Sequence, residues 1–451
     1  MTPTRHDAPV VDGEFRRDEQ VLAAAGDDFG HIVHRPPHAV VVPVSEQDVA
    51  AAVRWAGERG LRFAAQGRRH SVFGRGQVAG GVVADMTRLR AVHAVRDDRV
   101  HVDAGASWRE VLAATLPHGR TVPGLPDYLD LSVGGTLAVG GVGATISRTG
   151  ALSDNVLDLR AVTGRGELLA CSPQENAAAF NAMRAGLGQA GVVTRATLRL
   201  VPAPRQVRRH QLFYPDLATM LADQRRIVAD DRFTAVQGAV VAAPTGGWAF
   251  RLDAILELSD GTPDDEALLA TLSDDRVRAQ AATLPYLDHL DRLAALEGAL
   301  RSNGQWAFPH PWLMTFVGDT QVESVVDAEL TRLTAEDLGP FGQVVVSAFD
   351  RRAVTTPLLR LPDDELCYAV NLVRIPATGD PALAQRLVAA NRAAYQRIRV
   401  AGGTLYPVSA LPMSRDDWHT HFGPAFDRLS AAKQTFDPGS VLTPGYEVFR
   451  S

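Results

Sequence analysis

The chain has 451 residues, of which 46% are hydrophobic and 22% are charged, so it is long enough for two domains with substantial cores. Its formal net charge of −6 gives no electrostatic reason to expect a nucleic acid as a partner. The only lysine is Lys433, which excludes a phosphate-binding lysine loop, and the two cysteines, Cys171 and Cys367, form neither a disulfide framework nor a metal-ligand spacing.

The N-terminal residues 1–20 are polar and charged, without the apolar core of a signal peptide. No apolar run reaches the roughly 18 residues that a membrane-spanning helix requires. We therefore expect a cytoplasmic protein that does not interact with a membrane.

Short strands and helices alternate between residues 39 and 205. Ser45 with Asp48 predicts a helix cap and a helix that ends at Gly60, and Ser107 predicts a second cap. Further predicted elements are strands at 40–43, 61–66, 81–86 and 192–201 and a hairpin at 157–171.

The pattern of alternating short strands and helices ends at residues 202–204, Pro-Ala-Pro, and longer amphipathic helices follow. We place a domain boundary there. Leucines at 287, 290, 293 and 300 predict one amphipathic helix, and residues 383–398 predict another that ends at Gly402. Together with strands predicted at 248–258, 344–349 and 368–375, these helices favour an antiparallel sheet covered on one face. The tail from Phe436 is expected to be loop.

Two segments combine glycines with groups that bind anions. The turn Gly67-Arg68-Arg69-His70-Ser71 offers successive amides, two guanidinium groups and a hydroxyl. Residues 127–136 place the carboxylate of Asp127 ahead of Gly134 and Gly135. From these residues alone, a solvated surface turn and a nucleotide-binding turn both remain open.

Two other patterns are set aside. The glycines of residues 140–143 do not follow a predicted strand, which a dinucleotide-binding loop requires. His31, His34 and His38 are spaced like metal ligands but flank two prolines, so we expect no metal.

Both anion-binding segments resemble, nearly residue by residue, the flavin-binding motifs of the cytokinin dehydrogenases. These belong to the vanillyl-alcohol-oxidase, or PCMH, type of FAD enzyme. Further motifs of the family follow in the same order at Gly80–Met86, Asn155–Leu159, Val162–Glu167, Gly186–Arg195, Trp306–Leu313, Asp417–Gly423 and Phe436–Pro438.

The resemblance implies an α+β fold, the two-domain PCMH-type FAD-binding fold, whose substrate domain is an antiparallel sheet capped by helices. Residues 1–205 and 405–451 would form the FAD-binding domain. Residues 206–404 would form the substrate-binding domain.

The resemblance also implies roles for individual residues. His70 would bind the isoalloxazine ring covalently, and Asp127 would accept a proton from a substrate amine as hydride leaves for flavin N5. Gln237, Trp306 and Trp312 are candidates for the substrate pocket, although both tryptophans could equally be core residues. The positions that match cofactor contacts are Gly67, Arg68, Arg69, Ser71, Arg75, Asp127, Ser132, Ala138, Val142, Val193, Tyr406, Thr443 and Tyr446.

Several positions depart from the family pattern. Arg69 replaces a glycine, so the turn should not need a glycine-only backbone angle, and its side chain could contact a phosphate. Arg75 and Tyr446 each stand in place of a family glutamine. Gln237 replaces the glutamate that pairs with the catalytic aspartate, and an amide cannot share a proton, so the carboxylate pair is absent.

We therefore expect an FAD-dependent oxidoreductase with covalent flavin that oxidises a small-molecule amine, with oxygen or a quinone as electron acceptor. The nearer alternative, favoured by Gln237, is a natural-product tailoring oxidase acting on an alcohol, hydroquinone or related group. The more distant alternative is a non-catalytic flavoprotein that sequesters a ligand.

Overall fold

The computed structural model describes residues 8–259 and 261–449. Residues 1–7 of the stretch where we expect no signal peptide lie outside the described part. The first part of the chain forms β1 Glu14–Arg16, α1 Glu19–Ala25, β2 Ala39–Val42, α2 Glu46–Glu58, β3 Phe63–Gln66, β4 Val82–Asp85, β5 Val92–Val95, β6 Arg99–Asp103, α3 Trp108–Thr115, β7 Arg120–Thr121, α4 Val133–Val139, α5 Ile146–Thr149, β8 Val156–Val162, β9 Leu168–Cys171, α6 Ala177–Met183, β10 Val192–Arg199 and β11 Val201–Pro202.

These strands build two sheets and a short pair, β7 with β11. The first sheet has the order β1-β2-β4-β3, with β2, β4 and β3 parallel. The second is antiparallel, in the order β5-β6-β10-β8-β9. Helix α2 lies between the sheets, packed on β4 and β8, because its apolar stripe, including the fully buried Val49 and Val53, must be covered.

The two predicted helix caps are confirmed. The hydroxyl of Ser45 accepts from the amide of Asp48 at 3.1 Å at the start of α2. Ser107 forms a reciprocal capping box with Glu110 at the start of α3, which satisfies two of the free amides that every helix begins with. The predicted hairpin is β8 with β9.

The second part of the chain forms one eight-stranded antiparallel sheet with the order β15-β12-β14-β13-β17-β18-β16-β19. Its elements are β12 Gln206–Tyr214, α7 Leu217–Asp230, β13 Ala235–Ala242, β14 Trp248–Leu258, α8 Asp265–Leu269, β15 Gln280–Pro285, α9 Tyr286–Leu290, α10 Ala294–Ser302, β16 Leu313–Gly318, α11 Val322–Leu330, α12 Ala335–Leu338, β17 Gln343–Asp350, β18 Leu366–Val373, α13 Pro381–Val400 and β19 Thr404–Leu405.

The two faces of this sheet have different neighbours. Helices α7, α11 and α13 cover one face, as predicted, and Val240 and Leu252 are fully buried beneath them. Because side chains alternate along a strand, Gln237 and Arg251 point to the other face, where they line a cavity.

The predicted helix through Leu287 and Leu300 is wrong. The chain instead forms α9 and α10, and it breaks at residues 291–293. Asp291 accepts two hydrogen bonds of 2.8 Å from Arg109, and Arg292 turns towards Asp127. These tertiary ion pairs override the helical spacing of the leucines, which leaves Leu287 44% exposed.

Five strands of the large sheet were not predicted. These are β12, β13, β15, β16 and β19. β12 contains Arg208, Arg209 and His210 in succession, a run of polar residues that is atypical of a strand. The arginines pair with Asp265 and Asp253, so their charges are met by tertiary partners that local sequence does not reveal.

The C-terminal part adds α14 Arg415–Phe422, α15 Ala425–Phe436 and a tail that is loop, as predicted. The tail lies beside β3, where the amide of Phe63 donates to Val441 and the amide of Thr443 donates to Phe63. Lys433, almost fully buried, donates to the Asp437 carboxylate at 2.6 Å and to the carbonyls of Gln189 and Leu442. No helix in the described part is long and apolar enough to cross a membrane.

Lys433→Met should destabilise the protein strongly. It leaves the Asp437 carboxylate buried without a counterion, a change that typically costs about 3–5 kcal/mol. The unfolding midpoint in urea measures this loss. Arg165→Met, at an exposed turn, serves as the control and should shift stability by less than about 0.5 kcal/mol. Equal urea midpoints for Lys433→Met and the wild type would contradict a stabilising role for the buried ion pair between Lys433 and Asp437.

Candidate active site

A single cavity of about 750 Å³ lies between the first part of the chain and the open face of the large sheet. It brings together all the residues proposed from sequence except Thr443. Those that line it are Gly67, Arg68, Arg69, His70, Ser71, Arg75, Asp127, Ser132, Ala138, Val142, Val193, Gln237, Trp306, Trp312, Tyr406 and Tyr446. The hydroxyl of Thr443 is instead buried without a partner in the described part of the chain.

The turn at residues 67–71 has a backbone suited to an anion. Its five successive amides donate to no acceptor within residues 8–259 and 261–449. A Cβ atom at Gly67 would lie 1.9 Å from the Ser132 hydroxyl oxygen, so the turn packs against the second predicted segment only because residue 67 is glycine. Successive amides without acceptors are groups that can bind phosphate oxygens.

Arg69 adopts a left-handed backbone conformation, with φ of +54°. The position therefore favours glycine without requiring it, and a non-glycine residue there typically costs about 1–2 kcal/mol. Its guanidinium donates to the carbonyl of Ala24 at 2.9 Å, and the Arg68 guanidinium lies 3.4 Å from Glu110. Both arginine side chains thus have protein partners, whereas the backbone amides of the turn have no acceptor within the described residues.

Asp28, which the sequence did not single out, braces this turn. Its carboxylate accepts from the Ser71 hydroxyl at 2.7 Å and from the amides of Gly74 and Gly30 at 2.7 and 3.1 Å. The next residue, Phe29, donates its amide to the carbonyl of Arg69 at 2.8 Å. Burial raises the pKa of Asp28 to about 6, against the opposing effect of its three hydrogen bonds.

His70 is held in a column of rings. It stacks on Phe29 at 4.1 Å and on Tyr128 at 4.6 Å between ring centroids, and His310 stacks on the far side of Phe29 at 4.0 Å. Burial lowers the pKa of His70 to about 3, and the nearby His310 and Arg301 add to the effect. The imidazole is therefore neutral at physiological pH, with a free lone pair.

Asp127 is fixed between two side chains of the second part. One carboxylate oxygen accepts from the Gln237 amide at 2.9 Å, and the other accepts from Arg292 at 2.5 Å. Gln237, which replaces the family glutamate, is thus in direct contact with the candidate base, Asp127. Arg292 was not predicted, because it lies 165 positions along the chain from Asp127 and nothing in its local sequence marks it.

The remaining walls are partly apolar. Trp306 and Trp312 lie within about 6 Å of the His70 ring, so both belong to the site as well as to the packing around Phe29. Arg75 is buried and donates to the carbonyls of Ser409 and Leu411, which ties the turn to the chain beyond the large sheet. Burial lowers the pKa of Arg75 to about 10.

These features fit a flavin nucleotide. The free amides of residues 67–71 suit a pyrophosphate, and apolar residues such as Val142 and Val193 suit a flat ring that must be shielded from water. Tyr406 also faces the cavity, and burial raises its pKa. No group of three or more His, Cys, Asp or Glu side chains in the described part is placed to hold a metal ion.

Comparison with family models identifies two matching regions. Residues 37–172 match an FAD binding domain. Residues 263–449 match the model described as the FAD and cytokinin binding region of cytokinin dehydrogenase 1.

Relatives match over nearly the whole length. The chain is similar to an uncharacterized oxidoreductase, ORF5 of the fasciation locus, from Rhodococcoides fascians, with 38% identity over 97% of this chain and 99% of the relative. It is 32% identical to cytokinin dehydrogenase 10 from Oryza sativa subsp. japonica, over 99% of this chain and 90% of the relative.

The fold is also that of a solved enzyme structure. 6-Hydroxy-D-nicotine oxidase from Arthrobacter nicotinovorans superposes with a TM-score of 0.73 over 98% of this chain and 99% of that one, at 20% identity. At that identity the likeness concerns the fold, which is the two-domain PCMH-type FAD-binding fold.

The raised pKa of Asp28 predicts a pH dependence of stability. The pKa is about 6 in the folded chain and 3.8 ordinarily, so the folded state holds a proton that the unfolded state has released between these values. The stability contributed by Asp28 therefore falls as pH rises through this window, by up to about 3 kcal/mol.

Urea unfolding of the wild type and of Asp28→Asn at several pH values between about 4 and 6 measures this effect as the difference between the two proteins. Asp27→Asn is the matched control: despite burial, the hydrogen bond from His31 holds the pKa of Asp27 below 3.8, so its carboxylate stays ionised in both states. A wild-type advantage that stays flat or grows between pH 4 and 6 would contradict the placement of Asp28.

Proposed function

This chain belongs to the cytokinin dehydrogenase family of FAD-dependent oxidoreductases, and from that premise we propose that it oxidises a C–N bond of a small-molecule amine. In the proposed reaction, hydride passes to N5 of a flavin that is bound covalently through His70, and oxygen or a quinone accepts the electrons. The observation that carries the proposal is the Asp127 carboxylate, fixed by Gln237 and Arg292 in the same cavity as the His70 turn.

The cofactor side of the proposal rests on the turn. Bound FAD supplies the hydride acceptor. The five free amides of residues 67–71 would hold its pyrophosphate, and Asp28 braces the turn through Ser71 and Gly74. Ser132 packs on Gly67 and so fixes the distance between the turn and the start of α4.

The state of His70 supports the covalent attachment. Formation of a bond through a ring nitrogen needs a neutral imidazole with a free lone pair, and burial provides that state. The stacking of Phe29 and Tyr128 on its two faces limits the rotation of the ring. The chain therefore presents the ring edge of His70 in a fixed direction within the cavity.

The catalytic side rests on Asp127. Arg292 holds one carboxylate oxygen by a charge-assisted hydrogen bond, and Gln237 orients the other by donating an N–H hydrogen bond. Each oxygen keeps a further lone pair, so the carboxylate can also accept the N–H proton of an amine. Removal of that proton concentrates charge on nitrogen, which eases loss of hydride from the neighbouring carbon.

A second candidate function is oxidation of an alcohol, hydroquinone or related group of a natural product in the same cavity. Gln237 favours it, because the amide beside Asp127 is a donor and acceptor that suits a hydroxyl as well as an amine. Anaerobic flavin bleaching by an isopentenyl-adenine-type amine, compared with alcohols and hydroquinones, separates the two.

His70→Ala should release the flavin. We expect the acid-precipitated wild type to give a yellow pellet and the variant to give a yellow supernatant, because the variant lacks the ring nitrogen that forms the bond. His34→Ala is the matched control, since His34 is exposed and lies outside the cavity, and its pellet should stay yellow. A yellow pellet from His70→Ala would place the attachment elsewhere.

Asp127→Asn should slow anaerobic flavin reduction by roughly 10²–10⁴, the usual effect of removing a general base. Stopped-flow measurement of single-turnover reduction by the amine tests this directly. Asp130→Asn, three residues along and paired with Arg109 rather than facing the cavity, should reduce at close to the wild-type rate. Unchanged reduction in Asp127→Asn would remove this residue from the mechanism.

A further inference from the structure

The cavity continues along the large sheet, away from Asp127. Side chains on β13 alternate, so Gln237, Ala239 and Val241 share the open face, with Val241 about 14 Å from Gln237 at roughly 3.4 Å per residue. Beyond them lies a second hollow of about 450 Å³, which Val241 lines. Arg251, Phe341 and Gln343 line both spaces, which therefore adjoin.

Arg251 stands where the two spaces meet. It lies on β14 directly opposite Ala239. Within the described residues the side chain of Arg251 makes no hydrogen bond, and its Nε is buried without a hydrogen-bond partner. Its ion pair with Asp253 is loose, at 3.7 Å.

Two neighbouring arginines are already paired with carboxylates. Arg292 pairs with Asp127, and Arg209 pairs with Asp253 at 2.7 Å. Gln211 also donates to the same oxygen of Asp253, which binds this carboxylate further to β12. Arg251 is thus a cation in the wall of the cavity whose hydrogen-bonding capacity the protein leaves unused.

A guanidinium with a free fork of donors matches an oxyanion, which can accept two parallel hydrogen bonds. Ala239 is two residues along the strand from Gln237, which contacts Asp127. The strand position opposite Arg251 therefore lies on the order of 7 Å along the sheet from Gln237.

We propose that Arg251 is an anion subsite, and that the substrate is an amine carrying an oxyanionic group at the end remote from the oxidised bond. That group lies where the cavity adjoins the second hollow. The position of the oxidised end rests on the proposed function of Asp127. The anion subsite itself rests on the Arg251 guanidinium, whose only partner in the described residues is the 3.7 Å ion pair with Asp253, and on the adjoining spaces.

The test compares two ligands of nearly equal size, of which one carries a negative charge and the other is neutral. These are the 9-carboxymethyl and 9-carbamoylmethyl derivatives of N6-(3-methylbut-2-enyl)adenine, in which the substituent lies across the purine from the amine. Calorimetric titration of the reduced holoenzyme without oxygen measures binding while preventing turnover. We expect the wild type to bind the acid about tenfold more tightly than the amide, the ratio typical of a charged hydrogen-bonded pair.

Arg251→Gln should bring this ratio close to one, and Arg165→Gln, at an exposed turn, should leave it at the wild-type value. Arg251→Lys keeps the charge but loses the bidentate fork, so its ratio should fall at least threefold. Arg251→Lys also decides the matter if Arg251→Gln fails to fold. A ratio near one in the wild type, or an unchanged ratio in the Arg251 variants, would overturn the proposal.

Flavin reduction by the parent N6-(3-methylbut-2-enyl)adenine, measured on the same wild-type enzyme, separates the two proposals. A preference for the acid without flavin reduction would support the subsite and reject the amine reaction. Flavin reduction without a preference for the acid would support the amine reaction and reject the anion subsite.

Discussion

Neighbouring residues fix the backbone conformation of residues 67–71, in which the amides have no protein acceptor. The rest of the site depends on this constraint. Five successive amides without protein acceptors are costly if they are shielded from water, so such a turn persists only where the surroundings fix it. Asp28 holds its C-terminal end through Ser71 and Gly74, and Ser132 packs on Gly67 at its start. The turn is therefore organised to receive an anion from outside the chain.

The second constraint is the contact between the two parts of the chain. Asp127 precedes α4, whereas Arg292 and Gln237 come from the sheet part, so the candidate base is shaped only when both parts are in place. Arg109 makes a parallel connection to Asp291. The contacts of Asp291 and Arg292 also interrupt the single helix predicted from the leucines at 287–300. The break at residues 291–293 is therefore the structural consequence of positioning Arg292.

Local signals in the sequence predicted local structure well. The caps at Ser45 and Ser107 and the strand β14 needed only short-range chemistry, and the motif residues that line the cavity were recognisable as a set. Features that depend on distant partners were not predictable. The local sequence around Arg292 does not distinguish it from other polar residues, because its partner Asp127 is distant in the chain. The local sequence of β12 is atypical of a strand, and its arginines are neutralised by the distant Asp253 and Asp265.

Gln237 changes the chemistry available beside Asp127. Two neighbouring carboxyl groups share protons and titrate as a coupled pair, whereas an amide neither gains nor loses a proton. With Gln237 and Arg292 as its partners, Asp127 is the only carboxyl group of this contact, and Arg292 pairs with it. The amide of Gln237, which donates one of its two N–H groups to Asp127, therefore acts by orienting the carboxylate rather than by sharing a proton with it.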